Sequence, residues 1–284
     1  MSLVELVLHK LQEAGERAPQ IEHRPDGAEP RRLAIDLASL REAGLVPGDE
    51  DERRLMEQYR HIKRPLIANA IGRGTAPVPN GHLIVIASAM PGEGKTFTAI
   101  NLALSMSLEK DVHVILVDAD VPNPQLTQML RSSQAPGLLD VLSEEALDVE
   151  EVILATDVPN LSLVPAGRRS PQATELLASA RMAQSAAEIV NRDRRRIVLF
   201  DSPPLLLTSE SQVLTAVAGQ IVVVVRAGMT PQPAVLDALE LVQGEAPIYL
   251  VLNQSLRAPT GTYYYYRAHG EGPAQAADRQ AVGT

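Results

Sequence analysis

The segment Ala89-Met90-Pro91-Gly92-Glu93-Gly94-Lys95-Thr96 places two glycines, a lysine and a hydroxyl within five positions. Between a strand and a helix, such a run can wrap a chain of phosphates. Gly92 and Gly94 let backbone N–H groups turn inward, and the helix N-terminus adds a favourable potential for anions. Lys95 can reach the β- and γ-phosphates of ATP, and the Thr96 hydroxyl can ligate Mg²⁺. The loop begins at Ala89 where the usual pattern has Gly. A dinucleotide fingerprint is excluded, because Phe97 stands where its third Gly would fall.

Magnesium requires carboxylates near the same place. Ile115-Leu116-Val117-Asp118-Ala119-Asp120 ends an aliphatic run with two acids on alternate positions, able to face one side. Val198-Leu199-Phe200-Asp201-Ser202-Pro203-Pro204 ends another with one acid. An acid after a strand is commonly a turn or cap residue. Two such endings beside a phosphate loop change that reading, since the carboxyl ends of parallel strands share the ligand crevice. Asp118, Asp120 and Asp201 are therefore expected to converge on the metal and the γ-phosphate.

These residues need a frame. Aliphatic runs at Leu83–Ala87, Val112–Val117, Leu161–Val164, Ile197–Phe200, Ile221–Val225 and Ile248–Leu252 read as strands. Helical stretches at 95–109, 171–191 and 231–243 separate most of them. Near-continuous aliphatic strands suit a sheet covered on both faces. The alternation predicts an α/β fold with a doubly wound, mostly parallel sheet. Residues 80–253 form this domain. Residues 1–79 read as an N-terminal arm of helical pieces and linkers, with a capping box at Ser2 and Glu5 and a longer helix from Glu50 through Arg64, where Pro65 kinks it or begins a second piece. Residues 254–284, rich in Gly and Pro and poor in aliphatic clusters, read as a flexible tail.

Composition removes several chemistries. No Cys is present, so disulfides, thiol catalysis and thiolate metal sites are ruled out. The six His show no metal-ligand spacing. A nucleophile elbow and the Asp-Phe-Gly and His-Arg-Asp signatures of ordinary protein kinases are absent. A net charge of -9 argues against nucleic acid as a partner. No apolar run approaches the ~18 residues of a membrane span. Met1 to His9 lacks the basic start of a signal peptide, so a cytoplasmic location is expected. Aromatics number eight, six Tyr and two Phe, and half of them form the uninterrupted run Tyr263, Tyr264, Tyr265 and Tyr266. A core would scatter them.

Taken together, these segments resemble the bacterial tyrosine kinases of exopolysaccharide systems, in particular the exosortase-associated tyrosine autokinases. The resemblance rests on Ile62-Lys63-Arg64-Pro65-Leu66-Ile67-Ala68-Asn69-Ala70, Pro91 to Phe97, Val117-Asp118-Ala119-Asp120-Val121 and Phe200-Asp201-Ser202-Pro203-Pro204. It implies a P-loop NTPase fold with Walker A, A′ and B motifs, used to phosphorylate tyrosine. By that resemblance Pro91 to Phe97, with Lys95 and Thr96 foremost, bind ATP and Mg²⁺. Asp118 and Asp120 supply metal contacts and the base, and Asp201 completes the metal shell. Asn253 contacts adenine, by analogy with related P-loop proteins. Glu57, Arg60 and Lys63 resemble an oligomerisation motif of that family whose last position is Arg, and its spacing puts all three near one helical face. Lys63 cannot pair in the bidentate way of Arg.

The family likeness further implies a homo-oligomer that can close into a ring, and a separate transmembrane chain-length regulator that brings the chain to the inner membrane. Tyr263 to Tyr266 are the expected phosphate acceptors, with transfer between subunits. The alternatives are an ATP-dependent assembly switch without kinase activity, or a partition-type ATPase. The second is disfavoured by Met90, which stands where the partition and division-site ATPases carry a signature lysine. The basic residues Arg192, Arg194, Arg195 and Arg196 read as a solvated helix end.

Overall fold

The computed structural model describes residues 32–46 and 49–255. Their order is β1 (Arg32–Leu33), α1 (Leu37–Glu42), α2 (Asp49–Ala70), β2 (Leu83–Ser88), α3 (Lys95–Ser107), β3 (His113–Asp118), α4 (Gln125–Met129), α5 (Leu138–Ser143), β4 (Leu154–Thr156), β5 (Leu161–Val164), α6 (Ala173–Leu177), α7 (Ala180–Arg192), β6 (Arg196–Asp201), α8 (Ser209–Val217), β7 (Gln220–Arg226), α9 (Gln232–Glu240) and β8 (Ile248–Asn253). The Ser2–Glu5 capping box and the tyrosine run lie outside the described residues.

Eight strands form one sheet in the order β1-β4-β5-β3-β6-β2-β7-β8. All neighbours run parallel except the β4–β5 pair. The six aliphatic runs become β2, β3, β5, β6, β7 and β8. Because successive side chains point to opposite faces, each central strand feeds two cores. Ile84, Ile86, Val114, Leu116, Ile197, Leu199, Val222 and Val224 meet α2 and α3 on one face. Val85, Ala87, Ile115, Val117, Val198, Phe200, Ile221 and Val223 meet α5, α7 and α8 on the other. Helices on both faces make the sheet doubly wound, as expected.

Three local outcomes differ from the sequence reading. The predicted helix over 171–191 is two, α6 and α7, separated at Ala178–Ser179. Residues 32–70 pack onto the sheet: β1 pairs with β4, and Leu40, Val46, Tyr59, Leu66 and Ala70 are buried in the first core. Pro65, expected to kink the helix or begin a second piece, lies inside one helix that continues to Ala70. A mid-helix proline costs ~3 kcal/mol. Burial of Tyr59, Leu66 and Ala70, with Leu55, Met56, Ile62 and Ile67 packed beside them, offsets it.

Candidate active site

The phosphate loop leaves the carboxyl end of β2, whose neighbours are β6 and β7. Gly92 and Gly94 take φ of 78° and 95°, the left-handed region that favours glycine. Gly94 caps α3, and its carbonyl accepts the Thr98 N–H at 2.8 Å. The loop is also braced from within. Glu93, 2% exposed, accepts the Met90 N–H at 2.7 Å and the Thr230 hydroxyl. Asn253 donates to the Glu93 carbonyl at 2.9 Å, and Gln254 donates to the Gly92 carbonyl at 3.3 Å. A Cβ on Gly94 would lie 2.1 Å from Asn253 Nδ2. Asn253 thus packs on the loop itself. Phe97 is partly buried against the first core.

Parallel register brings the strand ends together. Asp118 of β3 stands opposite Asp201 of β6, and Asp201 stands opposite Ile86 of β2. Both acids are essentially buried. Asp118 Oδ2 accepts the Thr127 N–H at 2.7 Å, while Oδ1 of Asp118 and Oδ1 of Asp201 have no hydrogen-bond partner. Buried polar atoms are rarely left unpaired. Burial pushes the Asp118 carboxyl up to about 6, with the charge of Asp120 adding to it and the Thr127 hydroxyl and amide opposing it. Burial and then the charge of Asp118 push Asp201 up to about 8, against the pull of the Thr96 hydroxyl and Lys95. Asp120, less buried, is also raised by burial and countered by Lys95. Lys95 is 7% exposed. Burial lowers its pKa, and Asp201, Asp120 and Glu93 hold it up.

Burial raises all three carboxyls, and added positive charge would favour their ionised forms. Among the described residues, no group of three or more His, Cys, Asp or Glu is gathered tightly enough to hold a metal unaided. Mg²⁺ takes one or two carboxylates, keeps several waters and uses substrate phosphates as ligands. The hard oxygen donors of Thr96, Asp118, Asp120 and Asp201 fit this ion.

An AAA domain family model matches residues 81–245. A tyrosine-protein kinase of Bacillus subtilis, YwqD, is 32% identical over 208 residues, 73% of this chain and 84% of that protein. The chain belongs to the bacterial tyrosine kinase family. This kinase-family chain is also 28% identical to the tyrosine-protein kinase Wzc of Salmonella typhimurium over 65% of its length, a match that accounts for 26% of that longer protein. The solved BceF tyrosine kinase domain superposes with a TM-score of 0.58 at 26% identity, covering 78% of this chain and 91% of that one. The fold is therefore that of a P-loop nucleotide-binding domain of the bacterial tyrosine kinases, and no helix among the described residues is long and apolar enough to cross a membrane.

The three residues read as an oligomerisation face separate in the structure. Glu57 and Arg60 are exposed and pair with each other at 2.8 Å. Lys63 turns inward: it is 5% exposed, donates to the Ser105 carbonyl at 2.6 Å and pairs with Glu109 at 2.7 Å. Nor is the basic run uniformly solvated. Arg196 is 3% exposed and bound to Glu150 and the Ile189 carbonyl. Thr127, Thr230 and Glu210 were not singled out from sequence. Thr230 and Glu210 come from distant segments, and Thr127 lies nine residues beyond Asp118 on α4.

Proposed function

We propose that this chain is an ATP- and Mg²⁺-dependent protein-tyrosine autokinase whose acceptors are Tyr263, Tyr264, Tyr265 and Tyr266. The supporting observation is the pair of opposed, buried carboxylates, Asp118 and Asp201, each with an unpartnered oxygen, with Lys95 and the Thr96 hydroxyl beside Asp201. Phosphoryl transfer asks the protein for positioning and charge neutralisation more than covalent chemistry. The loop N–H groups from Gly92 to Thr96 hold the phosphates, and the Lys95 ammonium neutralises the terminal pair. Bound Mg²⁺ would supply positive charge that offsets the charge on the phosphates. Thr96, Asp120 and Asp201 would hold it, with Asp118 turned toward the acceptor. In the transfer, the phenolic oxygen forms a bond to the γ-phosphorus, the bond to the β-phosphate oxygen breaks and ADP leaves. The phenolic proton, with pKa near 10, passes to Asp118 Oδ1. A carboxyl near 6 is a base matched to neutral pH.

The remaining family features belong to the same reading. Transfer runs between copies of the chain, with exposed Glu57 and Arg60 as contacts and Asn253 facing adenine. A transmembrane chain-length regulator holds the protein at the inner membrane, where phosphorylation regulates exopolysaccharide synthesis. Incubation with ATP and Mg²⁺, followed by peptide mapping, tests the assignment. Phosphotyrosine at 263–266 that disappears in Lys95→Met supports it. Bound ATP without any phosphotyrosine, with or without the regulator's cytoplasmic segment, refutes it.

A further inference from the structure

The catalytic carboxylates are buried, yet the rim beside them is apolar and exposed. Met90, in the phosphate loop, is 42% exposed, and Leu206 and Leu207 are 40% and 66% exposed. Backbone bonds join these segments: Leu205 N–H donates to the Ser88 carbonyl at 2.8 Å, and Leu206 N–H to the Ala89 carbonyl at 3.3 Å. Leu206 and Leu207 thus follow Asp201 by only five and six residues and are tied to the strand that carries the loop. The phosphate loop, the metal-facing acids and this rim are one assembly.

Next to the apolar residues lies negative charge. Glu210, in the first turn of α8, follows exposed Leu207 by three residues. Thr174 fixes Glu210 by a 2.8 Å hydrogen bond. An exposed apolar rim with an acidic neighbour suits a segment that is aromatic and then basic. The aromatic run Tyr263-Tyr264-Tyr265-Tyr266 is followed directly by Arg267 and has this character. A tyrosine whose hydroxyl reaches Asp118 must leave its ring and its neighbours' rings at the mouth of the site, where water-exposed apolar surface gains from cover.

We propose that Met90, Leu206 and Leu207 form the docking surface for the Tyr263–Arg267 segment of a second copy, with Glu210 receiving Arg267. The proposal rests on the autokinase reading and adds the determinants of acceptor recognition. The apolar rim accepts any of the four rings, so the surface favours an aromatic run over one fixed tyrosine. Glu210 sets the register of the run.

The test uses two full-length copies. The enzyme copy carries Phe at 263–266, and the acceptor copy carries Lys95→Met with its tyrosines intact. Transfer is followed by phosphotyrosine mass spectrometry as the acceptor concentration is varied. Leu206→Ser with Leu207→Ser in the enzyme copy should raise KM for the acceptor roughly tenfold or more, from the lost apolar cover. Affinity for a fluorescent ATP analogue with Mg²⁺ should stay within about twofold, since the loop hydrogen bonds come from backbone. Glu210→Lys in the enzyme copy and Arg267→Glu in the acceptor copy should each weaken transfer, and together they should restore it. The swap also covers the case in which the leucine variant does not fold. An unchanged KM in the leucine variant, or a charge swap without recovery, overturns the docking assignment alone. No transfer from the unmodified enzyme copy overturns the autokinase reading with it.

Discussion

Asp201→Asn should make the nucleotide-free protein more stable while disabling it. Asp201 is 1% exposed, has an unpartnered oxygen and faces a second buried carboxylate, so burial and Asp118 lift its pKa from 3.8 to about 8. An acid with a raised folded-state pKa holds its proton more tightly folded than unfolded. Between pH 3.8 and about 8 the folded chain therefore binds more protons, and stability falls as pH rises through that window. At 1.36 kcal/mol per unit the full loss by pH 8 is ~5 kcal/mol. Asp118 shares the cost of the common charge, so about half, ~2 kcal/mol, is expected to return when Asn removes the ionisable group. For a domain of this size that is ~4–8 °C in Tm. Scanning calorimetry in EDTA at pH 5 and pH 8 reads the effect: the variant should melt higher than wild type, with the larger gap at pH 8. With Mg²⁺ and ATP the order should reverse, because only wild type gains ligand stabilisation. A variant that melts lower than wild type in EDTA at pH 8, or a gap independent of pH, would refute the picture of an acid held in place against its own stability.

Gly94→Ala, which puts a methyl 2.1 Å from Asn253 Nδ2 at φ 95°, should weaken Mg²⁺–ATP binding at least ~10-fold by titration calorimetry, given a left-handed penalty of ~1–2 kcal/mol plus the clash. Lys63→Met removes the donor to Ser105 and the partner of Glu109. It should cost ~1–3 kcal/mol in urea unfolding with no change in assembly mass by light scattering; the opposite pattern would place Lys63 on an intermolecular face. His113, held down to about 4 by burial and by Arg196, is neutral in the folded chain. Stability should therefore fall by ~3 kcal/mol as pH drops from 6.5 towards 4, and His113→Gln should flatten that slope in denaturant titrations at several pH values.

What could be read from sequence was what repeats locally or is chemically rare. The aliphatic strands needed no context, because a strand covered on both faces has no polar side to disguise it. The loop from Ala89 to Thr96 carries its own strand and helix, and the terminal acids Asp118 and Asp201 follow from strand length. Short elements escaped: β4 has three residues and α4 five, too few to establish a period. Pro65 misled because local propensity weighs the missing hydrogen bond but not the packing of Tyr59 and Leu66. Lys63 misled for a related reason. Helical spacing put it beside Glu57 and Arg60, whereas its partners on α3 and the following turn are more than 40 positions away. The bracing of Glu93 by Thr230 is likewise a long-range contact that no motif encodes.

The central claim is that this site phosphorylates its own tyrosine run. Time-resolved intact-mass spectrometry of the full chain with Mg²⁺ and ATP tests it most directly. The expected result is a ladder of successive phosphoryl additions that stops at no more than four, the length of the run, and vanishes when 263–266 are all Phe. Additions that persist undiminished in the Phe variant, or an unmodified wild-type chain that binds ATP throughout, would contradict it.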